Sequence, residues 1–132
     1  MYRLHKLNIL LDEAAADGWS RTENVYDYRH VLIVVSTSDS ANLTLKIAGS
    51  VLDQDAIDFT SSAAVDNEWS YLAAYDYDTA VITTGSTGIA YTGTDAVKTY
   101  MVNIDAMKTL AVELSGYSAG KATVKLFGVT NQ

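Results

Sequence analysis

The sequence contains no cysteine and no proline. The missing cysteine excludes disulfide staples, a thiol nucleophile and thiolate-ligated zinc. Ordinary usage would place roughly six or seven prolines in a chain of this length, so proline-rich linkers are excluded too, and every turn must be built from Gly, Asn, Asp and Ser. Histidine is scarce: His5 and His30 are the two present, and neither has a metal ligand at i+2 or i+4. Lys and Arg are absent between Lys46 and Lys98, while Asp53, Asp55, Asp58, Asp66, Glu68, Asp76, Asp78 and Asp95 fall in that stretch. With a net charge of -7, a surface that tracks nucleic-acid phosphates is not expected. No run approaches the ~20 apolar residues of a membrane helix.

What is present suits one globular domain over 1–132. The chain is 48% hydrophobic and 19% charged, with enough length to bury one substantial core. The N-terminal Met1-Tyr2-Arg3-Leu4-His5-Lys6 is basic, but the apolar Leu7-Asn8-Ile9-Leu10-Leu11 after it is short and is broken by Asn8. A signal peptide is therefore not expected, despite Ala14-Ala15-Ala16; the mature chain is read as starting at Met1 and made in the cytoplasm. Residues 1–20 are a candidate arm that packs on a neighbour.

Alternation with period two dominates. Leu43, Leu45 and Ile47 alternate with Thr44 and Lys46, Tyr100, Val102 and Ile104 with Met101 and Asn103, and Leu110, Val112 and Leu114 with Ala111, Glu113 and Ser115. Such spacing gives each strand one apolar and one wetter face. Turn chemistry punctuates it at Ser38-Asp39-Ser40, Gly85-Ser86-Thr87-Gly88, Thr92-Gly93-Thr94-Asp95 and Ser118-Ala119-Gly120. The expected fold is all-β: an antiparallel β-sandwich, jelly-roll-like, with about eight strands near 4–11, 28–37, 41–49, 69–76, 79–84, 97–104, 109–117 and 121–130. The last two are expected to form a hairpin through Ser118-Ala119-Gly120. Short helical turns are expected at Asp105–Lys108 and at Asp12–Gly18.

Val31-Leu32-Ile33-Val34-Val35 is apolar at every position, so this strand should be buried on both faces. Either a loop or helix of the same chain covers it, or another subunit does. The second option predicts a homo-oligomer, with Leu32 and Val34 at its interface.

Catalytic chemistry is hard to find. No Gly-x-Ser-x-Gly elbow is present, and Gly85-Ser86-Thr87-Gly88 is one residue too short for one. His30 reads as a strand-end residue. The glycine-rich turns carry no lysine and do not join a strand to a helix, as phosphate loops do. Asp53-Gln54-Asp55-Ala56-Ile57-Asp58 has some calcium-like spacing, but lacks the central glycine and terminal glutamate of a helix-loop-helix site. The expectation is a protein without enzymatic activity, cofactor or metal. Its acidic stretch is a set of solvated loops, a calcium loop of another kind or a docking element for a basic protein surface.

The aromatic residues leave three readings. Trp19, Trp69, Tyr71, Tyr75 and Tyr77 can serve as core, as a protein interface or as a platform for sugar rings. The interface candidates are Trp19, Leu32, Val34, Trp69, Tyr75 and Tyr77.

Asn67-Glu68-Trp69-Ser70-Tyr71 opens one strand, and Gly88-Ile89-Ala90-Tyr91 follows a turn. Tyr100-Met101-Val102-Asn103-Ile104 then leads through Met107-Lys108 into Leu110-Ala111-Val112-Glu113-Leu114-Ser115. The chain closes on Ser118-Ala119-Gly120 and Thr123-Val124-Lys125-Leu126-Phe127-Gly128-Val129. This cadence, over roughly 65–130, resembles the small jelly-roll virion proteins of tailed bacteriophages, in particular capsid decoration or cement proteins. It is a rhythm of strands and turns without an invariant motif, so no site residue transfers. The resemblance implies a homotrimer on the capsid surface of a virion, bound to the major capsid protein and stabilising the shell. A carbohydrate-binding β-sandwich module or tail-fibre component is the alternative, with carbohydrate as partner. Neither reading calls for nucleic acid or a membrane.

Overall fold

Two long strands carry the architecture. A computed structural model of the chain describes residues 2–61 and 68–131; Asp66 and Asn67, cited above, lie outside them. The strands are β1 (Tyr2–Ala14), β2 (Gly18–Trp19), β3 (Glu23–Asn24), β4 (His30–Ser50), β5 (Trp69–Leu72), β6 (Ala74–Asp76), β7 (Val81–Thr83), β8 (Ile89–Thr94), β9 (Val97–Asn103) and β10 (Thr109–Asn131). All pairings are antiparallel. β4 has 21 residues and β10 has 23. Straight, either would run about 70 Å, far longer than a small core can cover.

Both strands bend at one place. Asp39 (φ 59°) and Ser40 (φ 55°) turn β4, and Gly116 (φ 61°) and Gly120 (φ 83°) turn β10. These left-handed conformations suit glycine and the short polar residues Asp and Ser best. The two strands pair on both sides of the bend in one register, Thr109 opposite Ser50 and Val129 opposite His30. The corner is tied by Tyr117 Oη, which donates to Gly120 O at 2.9 Å, and by the Tyr117 N–H, which donates to Asp17 Oδ1 at 2.9 Å.

The bent ribbon seeds two layers. Layer one runs β1–β10–β4–β9–β6–β7, using the second half of β10 and the first half of β4. Layer two uses the other halves, with β2 and β3 on β10 and with β5 and β8 on β4. Val31, Ile33, Val35, Val124 and Leu126 of layer one bury in one cluster with Leu43, Leu45, Ile47, Leu110, Val112 and Leu114 of layer two. The single parity that packs both halves into one core makes this an antiparallel sandwich. Each such side chain contributes about 1.5–3 kcal/mol relative to exposure.

The strand plan differs from the sequence expectation: β2, β3 and β8 are not among the expected strands, and the expected strand 69–76 is divided into β5 and β6. The segments 109–117 and 121–130 do not pair with each other: Gly120 has the expected positive φ, but it turns a corner, and both segments pair with β4. The turn at 38–40 is the matching corner, so two expected strands are halves of β4. No helix occurs among the described residues. Asp105–Lys108 is a tight turn in which Met107 N–H donates to Ile104 O, and Ala106 has φ 67°, which a right-handed helix cannot continue. Asp12–Ala14 completes β1, where Glu13 (φ 48°) is held by its N–H on Thr123 Oγ1 at 3.0 Å. Of the candidate arm 1–20, Tyr2–Ala14 forms the edge strand of layer one, paired with β10 of the same chain.

Candidate functional site

The outer faces of the two layers set the functional question, because strand alternation puts half of each strand's side chains there. On layer two the ribbon presents small residues, Ala48 opposite Ala111, both fully buried. The first part of the connection between β4 and β5, residues 51–61, folds back over them. Its Ile57 and Phe59 are buried, packed with Trp19, Leu52, Trp69 and Tyr71 in a second apolar cluster. Trp19 stacks on Phe59 at 5.6 Å and meets Trp69 edge-on at 5.5 Å; Trp69 meets Tyr71 edge-on at 5.1 Å. These are favourable aromatic geometries.

Polar groups lock this cover in place. Ser50 Oγ donates to Glu68 O and accepts from Leu52 N–H, Thr109 Oγ1 donates to Leu52 O at 2.8 Å, and Trp69 Nε1 donates to Ser61 O at 3.2 Å. Tyr71 Oη donates to Glu113 Oε1 at 2.7 Å, while the Lys46 ammonium sits 5.1 Å over the Tyr71 ring. Partial burial, reinforced by the Glu113 carboxylate, pushes the Tyr71 phenol up to about 12. Asp58 accepts from Thr60 and Ser61, and these bonds, led by the Thr60 hydroxyl, hold its carboxyl below the usual range. Trp19 and Trp69 are thus joined to one another and half covered. Three other acids of the stretch lie elsewhere: Asp76 on β6, Asp78 in the turn after it and Asp95 beside the corner, where it accepts from Ser40 N–H. Among the described residues no three of His, Asp and Glu gather as a metal site.

Layer one is different. Its outward positions align into a row that crosses the sheet: Lys6 opposite Phe127, Phe127 opposite Leu32, Leu32 opposite Met101, Met101 opposite Tyr75 and Tyr75 opposite Ile82. Five of these six side chains are apolar or aromatic. The next row holds Val34 between Lys125 and Thr99. Tyr77 follows, its N–H donating to Thr99 O and its ring edge-on to Tyr75 at 5.3 Å. Leu32, Val34, Met101, Tyr75 and Phe127 are half-buried by each other, while Ile82 is 65% exposed, Val97 73% and Tyr77 54%. No described segment of the chain crosses this face. The outward strand positions Lys6 and Lys125 carry positive charge, and Lys121 nearer the corner is paired with Asp39 at 3.8 Å, so cations border the apolar row.

The edges of this layer are guarded. β1 has three register shifts along β10, and β7 is three residues long. Bulged or very short edge strands resist pairing with another chain, which leaves the face itself as the open surface.

Behind the Tyr75 end of the row lies a buried polar cluster. Lys98 Nζ donates to Asp76 Oδ2 at 2.8 Å, Asp78 N–H donates to Asp76 Oδ1 at 2.8 Å, and the Tyr91 and Tyr100 hydroxyls share a 2.9 Å hydrogen bond. Burial disfavours the Asp76 charge, but the Lys98 ammonium and the two N–H donors of Asp78 and Thr79 outweigh it and hold the carboxyl below its ordinary value. The hydrogen bond to Asp76 raises Lys98. Burial pushes both tyrosines up.

The structure therefore divides the interface candidates. Leu32, Val34, Tyr75 and Tyr77 share the outer face of layer one, and Trp19 and Trp69 lie under the cover of layer two. Sequence reasoning missed Phe127, Met101 and Ile82, which complete the row only through cross-strand register. It also missed Ile57 and Phe59, whose alternation inside an acidic stretch was the available signal.

No protein-family model matches the chain, and no curated protein matches its sequence. Two solved structures share its fold. The SPBc2 prophage-derived protein YomS superposes with a TM-score of 0.71 at 13% identity, over 98% of this chain and 96% of that one. The PBSX exported protein XepA superposes with a TM-score of 0.69 at 15% identity, over 98% of this chain. This chain spans 38% of XepA's length.

Proposed function

We propose that this chain is a structural or exported component made by a bacteriophage or prophage, and that it decorates or cements a capsid as a homo-oligomer. The observation that carries the reading is the uncovered row of Phe127, Leu32, Met101, Tyr75 and Ile82 across layer one. Contiguous exposed apolar surface on a small domain marks an interaction site. One of the two fold neighbours is described as prophage-derived and the other as exported, which fits such a role.

In this reading layer one is the contact between copies, with a homotrimer as the assembly. The acidic cover of layer two, with Asp53, Asp55, Asp58 and Glu68 exposed, faces a basic surface of the major capsid protein. Several weak contacts from one assembly then add through high effective concentration. Neither role needs a cofactor, nucleic acid or a membrane. Co-sedimentation with capsids that lack the protein tests the proposal. Saturable binding that weakens when Asp53, Asp55 and Asp58 are changed together to Asn is the expected result. Capsids that pellet without the protein at any concentration overturn the decoration role.

A further inference from the structure

One cavity lies beside the layer-one row and shares Met101 with it. It has a volume of about 550 Å³ and opens at the end of layer one where β4 begins and β9 ends, lined by Asp27, Arg29, His30, Met101, Asn103, Asp105, Val129 and Thr130. Val129 is opposite His30, and His30 opposite Asn103, so three adjacent strands each place an outward side chain in it. The turn before β4 supplies Asp27 and Arg29, and the turn after β9 supplies Asp105. The size is that of a small-ligand pocket, which commonly holds about 300–1,000 Å³.

We propose that this cavity binds a neutral sugar ring. The chemistry of its wall points there. Val129 is buried and Met101 half-buried, and together they offer an apolar floor that suits the C–H face of a pyranose. Around them stand polar groups of every type: two carboxylates, a guanidinium, an imidazole and a carboxamide. Arg29 Nε donates to Asp105 Oδ1 at 3.4 Å, and Asp105 N–H donates to Asn103 Oδ1 at 3.0 Å. These bonds link rim residues and leave the terminal nitrogens of Arg29 and the amide nitrogen of Asn103 as donors. Asp27 and the second oxygen of Asp105 remain as acceptors. A sugar hydroxyl both donates and accepts, so a polyol can satisfy both kinds at once. An anion would meet two carboxylates, and a cation would meet Arg29; the mixed rim favours an uncharged ligand. The site is far from the tryptophan cluster, whose rings are engaged with each other, so it is not the aromatic platform that the sequence suggested.

Of the row that carries the assembly reading the lining includes Met101 alone, so variants at Asn103 and Asp27 test the site without touching that row. The test is a titration of the isotope-labelled full chain, followed by amide NMR, with the methyl glycosides of glucose, galactose and mannose and with N-acetylglucosamine. Concentrations up to about 50 mM cover the millimolar affinities expected of single sugar rings. The proposal expects saturable shifts confined to residues 27–30, 101–105 and 129–130 with at least one of these sugars. Asn103→Ala and Asp27→Asn should each weaken that binding by about tenfold, the loss of one or two hydrogen bonds, while the melting temperature stays within a few degrees. No saturable shift with any of the four sugars overturns the proposal. So do shifts centred on Trp19 and Trp69, binding unchanged in both variants, or equal shifts with acetate or inorganic phosphate.

Discussion

The two outer faces of the sandwich solve the same problem in opposite ways. On layer two, Ala48 and Ala111 leave a shallow depression, and the chain fills it with its own Phe59, Ile57, Trp19 and Trp69. On layer one, larger side chains stand out from the sheet, and no described segment returns to cover them. The closed face is finished within one chain, and among the described residues the open face is not. The difference follows from connection length: eighteen residues separate Ser50 from its partner Trp69, whereas β6 and β7 are joined by a tight turn whose closing bond runs from Ala80 N–H to Asp76 O. A short turn has no spare chain with which to cover a face.

The comparison depends first on the corner that creates two layers. A Cβ at Gly120 would collide with Ala41 Cα and lie 2.7 Å from both Ala41 N and Ser38 O, at φ +83°. Gly120→Val should therefore cost more than about 4 kcal/mol and leave little folded protein; a melting temperature close to that of the parent would refute the corner. Ile33→Asp comes next. Ile33 is 1% exposed on the inward side, and an unpartnered buried charge costs several kcal/mol, so about 4 kcal/mol or failure to fold is expected. Circular dichroism during denaturant unfolding reads it.

Phe59→Ala attacks the closed face alone. About 3 kcal/mol should be lost, with a red shift of tryptophan fluorescence as the cover loosens and no change in self-association. An altered oligomeric state would mean that the two faces are coupled. The smallest effect concerns Asp76. Its folded carboxyl titrates below the unfolded value of about 3.9, so it stabilises the native state above that pH. The contribution is lost as pH falls through the lower folded value. Asp76→Asn should flatten the melting temperature against pH in that acid window and change its slope little between pH 5 and 7. An unaltered acid slope would show that the Lys98 pair is not responsible.

Much of the fold was legible because alternation is a local signal. Val31, Ile33 and Val35 or Leu110, Val112 and Leu114 announce their strand and its inward face without reference to other segments. The sandwich class followed from these. The corner was not legible, because Ser118-Ala119-Gly120 and Ser38-Asp39-Ser40 look alike whether a chain reverses or only bends. The deciding fact is that β4 and β10 keep one register across both. Asp105–Lys108 misled for a related reason: Asp105 suits a helix cap, and the positive φ of Ala106 cannot be read from an alanine. The open face was half legible. The run from Val31 to Val35 showed two apolar sides, but Phe127, Met101, Tyr75 and Ile82 join Leu32 only through pairing with distant strands. The sugar cavity was not legible at all, since Asp27, His30, Asn103 and Val129 meet only after the sheet forms.

The central claim is that the outer face of layer one is where copies of this chain meet. Leu32→Glu tests it most directly, because Leu32 sits in the middle of the row and points away from the core that its neighbour Ile33 fills. Light scattering coupled to size-exclusion chromatography should give a stable multimer for the parent chain. The Leu32→Glu chain should be a folded monomer with a melting temperature within a few degrees. A monomeric parent chain at high concentration, or a Leu32→Glu variant with the parent's mass, would contradict the account.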